Sequence, residues 1–300
     1  MIKIVKFVKR TVELFLKIFR KAIKYILPYG IVRLFVLLKN SFVNHSGFGK
    51  YKNKGIIEKN IILKDQGKGK RAFLLATGPS LKLENLKLLA GEDCFSVSNF
   101  FLHEDINIIN PKFHFFAPYH KPLDLNNYVE WLKLADEKLP HETKIFLGHA
   151  TYDLVNEYHL FPNREIFYLY LSDDIKTKKI DLTKPVLAPQ TSPLMIIPVL
   201  IYMGYKEIYL LGCDHTTLRD YKKTVTNFYN PNEDIRKNAT DINCWRGIIQ
   251  NHKFSLNVFL QYQWYKDILE KFYSINIYNL SKDSWLDLFP FLNLDKIIKK

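Results

Sequence analysis

The sequence predicts an α/β protein built on a mostly parallel sheet, and three observations carry that expectation. Short apolar runs recur from Phe73 onward. Amphipathic stretches at helical spacing lie between them. The runs are apolar throughout rather than alternating, as strands covered on both faces are. With 300 residues and 47% hydrophobic content the chain can bury a full core, so one large domain with an appendage is expected.

In chain order the expected strands are 73–76, 95–97, 113–116, 144–147, 166–171, 207–211 and 275–280. The expected helices are 81–89, 128–139, 193–203 and 256–273. Strands alternating with helices give a Rossmann-like sheet, in which ligands bind beyond the carboxyl ends of the strands. That rule marks Thr77 to Ser80, Ser98-Asn99, Ala117 to His120 and Gly212 to His215. At the first of these, an apolar run stops at Thr77-Gly78-Pro79-Ser80 and a helical pattern starts at Leu81. Such a turn is expected to present unpaired N–H groups and a helix dipole to a phosphate. Gln190-Thr191-Ser192-Pro193 opens a second helix, with Ser192 as N-cap and Pro193 in its first turn, and Pro198 is expected to kink it. Residues 216–250 lack apolar periodicity and are expected to form a lid.

The formal net charge of +14 is not spread along the chain. Residues 1–70 hold 17 of the 44 Lys and Arg but only three of the 30 acids, and the remainder is balanced. A basic appendage on a neutral domain argues against nucleic acid as a partner. From Ile2 to Leu27 every charged residue falls in one sector of roughly 120° on a helical wheel, opposite an almost wholly apolar face. Residues 1–43 are therefore expected to lie on a membrane surface, drawn to anionic headgroups, and residues 44–70 to be a polar linker to a domain of residues 71–300. Three widely spaced cysteines, Cys94, Cys213 and Cys244, suit a reducing compartment. The nine histidines show no metal-ligand spacing.

Three blocks occur in order: Ala76-Thr77-Gly78-Pro79-Ser80-Leu81, Val97-Ser98-Asn99-Phe100-Phe101, and Gly204-Tyr205-Lys206-Glu207-Ile208-Tyr209-Leu210-Leu211-Gly212-Cys213-Asp214. Together they resemble the bacterial sialyltransferases of glycosyltransferase family 42, over roughly residues 71–290. The resemblance implies a GT-A-like variant of the Rossmann-like fold with a lid, and a CMP-activated sialic-acid-like sugar as donor substrate. It also implies inversion at the anomeric carbon with neither metal nor further cofactor. By position it assigns Thr77, Gly78, Pro79, Ser80, Asn99, Thr191, Ser192, Gly212, Cys213 and Asp214 to the nucleotide. It assigns Tyr221 to the departing phosphate and His252 to the base, with His215 as second candidate for the base. Ala76 stands where the family has a glycine, Pro189 where it has an arginine and Thr216 where it has a tyrosine. The Gly-Pro-Ser-Leu start is shared with hydroxymethylpterin diphosphokinase-like proteins, which leaves an Mg²⁺-ATP phosphotransferase as the alternative. A non-catalytic membrane adaptor is a third.

The expected partners are a CMP-activated sugar, a glycan or lipid-linked glycan acceptor, and a membrane surface at the cytoplasmic face of the inner membrane; homo-oligomer formation is left open. Deleting residues 1–43 is expected to abolish sedimentation with anionic vesicles. Unchanged co-sedimentation of the truncated chain would refute the tether.

Overall fold

The computed structural model describes residues 47–120, 123–173, 177–221, 223, 227–236 and 247–298. The expected amphipathic segment, residues 1–43, lies outside the described residues, as does 237–246 of the expected lid. The chain divides into two units, Met1–Asn53 and Lys54–Lys300. Residues 47–52 of the first are helical, and the second contains the sheet.

Its central sheet has seven strands: β1 (Arg71–Leu75), β2 (Cys94–Val97), β3 (Phe113–Phe116), β4 (Lys144–Gly148), β5 (Ile166–Leu169), β8 (Glu207–Leu211) and β9 (Asn276–Asn279). Their order is β5-β4-β3-β2-β1-β8-β9, and every neighbouring pair is parallel. The expected Rossmann-like sheet is thus present. The single expected strand 166–171 ends at Leu169; Leu171–Ser172 (β6) leaves the sheet to pair with Val186–Leu187 (β7). From β1 the chain builds outward through β2 to β5 on one side, and β8 and β9 fill the other. The topological switch point therefore lies between β1 and β8, where such sheets open a crevice at their carboxyl ends.

The helices are α1 (Ile106–Ile109), α2 (Leu125–Lys138), α3 (Tyr152–Glu157), α4 (Ile197–Tyr202), α5 (Ile248–Phe272) and α6 (Leu294–Ile298). Alternation along each strand sends neighbouring side chains to opposite faces. Ala72, Leu74, Phe95, Phe113 and Phe115 join α4 and the Tyr262, Tyr265 and Leu269 side of α5 in one core. His114 and Phe116 point the other way, where Phe116 meets Trp131 of α2 edge-on at 4.9 Å.

Three further expected elements differ. The expected helix 81–89 is two 3-10 turns, Pro79–Leu83 and Leu86–Leu89, broken at the extended Glu84. The expected helix 193–203 is a 3-10 turn, Ser192–Met195, followed by α4. Pro198 sits in the first turn of α4, where its missing N–H costs nothing, so it starts a helix instead of kinking one. The stretch read as linker is packed from Ile57 onward. Ile57 and Leu63 are fully buried, and Asn60 donates to the carbonyls of Tyr168 and Leu182 at 2.8 and 2.9 Å. Gly67 donates to the Met203 carbonyl at 2.8 Å, and a Cβ there would overlap the Tyr205 ring. Its glycines mark close packing, not slack.

Arg164 closes the carboxyl end of α2. Its guanidinium reaches the Asp136 carboxylate and the carbonyls of Asp136, Leu139, Pro140 and Thr143, with a side chain only 5% exposed. A planar fork is needed to serve so many acceptors at once. Arg164→Ala is expected to cost about 3 kcal/mol or more in urea denaturation, and Arg164→Lys to recover less than half of that.

Candidate functional site

The site begins where β1 and β8 end side by side. Their pairing runs past both strands, with Ala76 donating to the Leu211 carbonyl at 2.8 Å and Gly78 to the Gly212 carbonyl at 2.9 Å. The two chains touch so closely that a Cβ on Gly78 would fall inside the Asp214 carboxylate and stand 2.5 Å from the Gly212 oxygen. Gly212 needs its own freedom: its φ is +70° and Leu81 fills the space a side chain would take. Beyond it the turn is braced from the loop after β9. Cys213 donates to Ser281 Oγ at 3.0 Å, Ser284 Oγ donates to the Cys213 carbonyl at 2.7 Å, and Trp285 donates to the Asp214 carbonyl at 2.9 Å.

This contact takes up most of the N–H groups that the expected phosphate cradle at Thr77 to Ser80 would offer. The Gly78 N–H is spent on Gly212, the Ser80 N–H on Asp214 Oδ2 at 3.3 Å, and the Leu81 N–H on Gly78; Pro79 has none. With a 3-10 turn in place of an α-helix there is no macrodipole of consequence either. Burial raises the Asp214 carboxyl's pKa, and the hydrogen bond from the Ser80 N–H partly offsets that.

A second wall comes from the exit of β2. Ser98 holds a left-handed backbone, φ +54°, which is uncommon for a residue with a side chain. Its carbonyl is held from below by His114 at 2.9 Å, and the other ring nitrogen of His114 lies 2.7 Å from Ser96 Oγ. A carbonyl can only accept, so Nε2 carries the proton and Nδ1 accepts from the serine. Burial pushes the imidazole down to about 3, keeping it neutral. The third wall is the Thr191-Ser192 turn. Gln261 of α5 fixes its approach, accepting from the Gln190 N–H at 2.8 Å and donating to the Ala188 carbonyl at 3.1 Å. Thr191, not Ser192, occupies the N-cap position, and no side-chain cap bond forms.

The described part of the lid rests on these walls. Phe228 donates to the Thr77 carbonyl at 3.2 Å, and its ring packs on His103 and Phe100. Farther along, Arg236 is paired in two places with buried Asp234 and lies 4.1 Å over the Trp131 ring. Asp220 accepts from Arg219, which holds its carboxyl down to about 2.

Of the expected site residues, Thr77, Gly78, Pro79, Thr191, Ser192, Gly212, Cys213 and Asp214 line one cavity of about 220 Å³. Four do not. Ser80 lies buried behind Asp214. Asn99 is fully buried, its side-chain oxygen accepting from Trp131 Nε1, so it ties β2 to α2. Tyr221 is half-buried outside the lining. His252 is exposed on the first turns of α5, its ring bonded to the Ile248 carbonyl of its own helix at 2.8 Å. His215, by contrast, lines the cavity, as do Ser98, Thr216, Thr217, Asp220 and Asn227. Thr217, Asp220 and Asn227 escaped sequence reading because they lie in an aperiodic segment, where spacing carries no signal. His114 sits mid-strand in an apolar run, and a buried histidine there was the only signal. The lining is hydroxyl-rich, its only carboxylates are Asp214 and Asp220, and among the described residues none that lines it is Lys or Arg. No group of three or more His, Cys, Asp or Glu among the described residues is placed to hold a metal.

A histidine held neutral by burial binds fewer protons folded than unfolded between its folded value and about 6.5. Folding stability must therefore fall as pH falls through that window. His114 is expected to contribute up to about 1.4 kcal/mol per pH unit below pH 6.5, levelling off near 3. Urea denaturation at stepped pH checks this, with His114→Asn giving the shallower slope.

No protein-family model matches the chain, and no curated protein matches it. Among solved structures, the sialyltransferase CST-II in complex with a trisaccharide acceptor and CMP is similar over 74% of this chain and 86% of its own. The identity is 19% and the TM-score 0.43.

Proposed function

We propose that this chain is a glycosyltransferase whose donor substrate is a sialic-acid-like sugar activated as its CMP derivative. The observation that carries the reading is the meeting of residues from all three sequence blocks, Thr77 to Pro79, Val97-Ser98 and Gly212 to Asp214, in one cleft at the switch point of the sheet. Its chemistry narrows the donor. A nucleoside diphosphate leaving group brings two or more negative charges and calls for a divalent cation or several basic side chains. Here the polar side chains of the described lining are hydroxyls, one amide, the Cys213 thiol, the His215 imidazole and two carboxylates, with no Lys or Arg. That suits a singly charged phosphodiester, met by serine and threonine O–H groups. The cavity is smaller than the ~300 Å³ at which small-molecule sites usually begin, so the transferred sugar is expected to extend past it.

Transfer in this reading is a single inverting displacement, metal-independent, onto a glycan or lipid-linked glycan hydroxyl. Residues 1–43 would hold the enzyme at the membrane where such acceptors are assembled. Among the described helices none is long and apolar enough to cross a membrane. The base assignment is not supported by the geometry, because His252 is bonded to its own helix away from the cleft, and Tyr221 is likewise outside the lining.

A thermal-shift series with CMP, CDP, UDP and ATP, each with and without Mg²⁺, tests the donor. CMP without metal is expected to raise Tm by about 5 °C at a hundredfold excess over Kd. Gly78→Ala is expected to remove that shift, because its Cβ would displace the Asp214 carboxylate. Selective stabilisation by ATP with Mg²⁺ would instead identify a diphosphokinase-like phosphotransferase.

A further inference from the structure

His215 stands at the turn after β8, one residue beyond Asp214, and lines the cleft. Its backbone is left-handed, φ +50°, and the braces on the Cys213 and Asp214 carbonyls lock that geometry. Nε2 lies 3.0 Å from the hydroxyl of Tyr262, a fully buried residue of α5. The buried Cys213 thiol lies close enough to that hydroxyl for each to perturb the other. No described group bonds Nδ1, and the residue lines the cleft. The surrounding polar and titratable groups are few. Cys213 and Asp214 are on its own turn, Tyr262 faces it from α5 beside the Phe259 ring, and Asp220, paired with Arg219, lies at the rim. As the site stands, burial holds the imidazole down to about 4.

We propose that His215 supplies the positive charge that the described lining otherwise lacks, taking up a proton from solution when the phosphate of a nucleoside monophosphate enters the cleft. The proposal rests on the donor reading above. The hydrogen-bond inventory closes in the protonated state. Nδ1–H donates to the phosphate, Nε2–H donates to Tyr262 Oη, and the Tyr262 O–H donates to Cys213 Sγ. Tyr262 can accept from an imidazolium if its own proton turns toward the neighbouring thiol. One proton is gained from solvent, and no covalent bond changes. Buried imidazole is uncharged in the empty site and cationic beside a phosphate, so the empty cleft avoids burying an unpaired cation.

Isothermal titration of the full chain with CMP and with cytidine, near pH 6.5 in buffers of different ionisation enthalpy, counts the protons. Wild type is expected to take up a fraction of a proton with CMP beyond that of His215→Gln, and cytidine none. CMP affinity should tighten as pH falls from 8 to 6, by up to about tenfold per unit. His215→Gln should weaken CMP binding by tenfold or more at pH 6 and flatten the profile, while cytidine binding is unchanged. His215→Asn serves in its place should the glutamine variant not unfold cooperatively. Equal proton uptake and an equal pH profile in wild type and variant would overturn the proposal while leaving the donor reading intact. Failure of every variant and wild type to bind CMP would overturn both.

Discussion

The cleft depends on one backbone contact, the Gly78 N–H to Gly212 carbonyl hydrogen bond at the switch point of the sheet. A parallel sheet covered on both faces offers a ligand only its carboxyl edge, and here β1 and β8 leave that edge still paired. Their closeness admits no side chain at Gly78 and places the Asp214 carboxylate behind the turn. The opening that remains is bounded by what the neighbouring exits provide. Ser98 is set by buried His114, Thr191-Ser192 is set by Gln261, and the turn after β8 is set by Ser281, Ser284 and Trp285. Each wall is positioned by a buried polar group from another element, so the cleft is preorganised by the fold rather than by its own loops.

The strands were legible because both of their faces are buried. Runs such as Phe113-His114-Phe115-Phe116 and Ile208-Tyr209-Leu210-Leu211 have no polar face to hide them, and their expected limits agree with the sheet to within about two residues. The helices were legible only where length let periodicity accumulate, as in α2 and α5. Leu81 to Leu89 has helical spacing in its leucines, but Glu84-Asn85 interrupts it and each half closes as a 3-10 turn. The error at residues 57–70 has a different cause. Gly67 and Gly69 look like slack in a sequence, whereas in the fold they let the chain lie against Tyr205 and pair with Met203 and Gly204. Composition cannot separate a glycine that frees the backbone from one that removes a side chain.

The candidate site was legible to the extent that it follows the strand-end rule. Thr77 to Pro79, Thr191-Ser192 and Gly212 to Asp214 are adjacent to elements whose positions the sequence announces, and they meet. Asn99 obeys the same rule and fails, because Phe100, Phe101 and Trp131 make the β2 exit a core and draw its side chain inward. His252 is outside the lining for a different reason: α5 begins earlier than the expected helix, at Ile248, so the residue lies within the helix and bonds its first turn.

The same geometry decides how such a cleft can hold a phosphate. In folds where an α-helix starts at the first strand end, unpaired backbone N–H groups meet the anion whatever the side chains are. Here the N–H groups of Gly78, Ser80 and Leu81 are spent on Gly212, Asp214 and Gly78. Under the proposed reading, a phosphate would be met largely by side chains, the hydroxyls of Thr77, Ser98, Thr191, Ser192, Thr216 and Thr217 and the imidazole of His215. Hydroxyls are neutral and adjustable, so they tolerate an empty cleft without unpaired charge, but each supplies less than a charged donor would. A site built this way binds through several modest contacts on separately braced turns. Its affinity is therefore tied to the turns' relative positions, and hence to the Gly78–Gly212 contact that sets two of them.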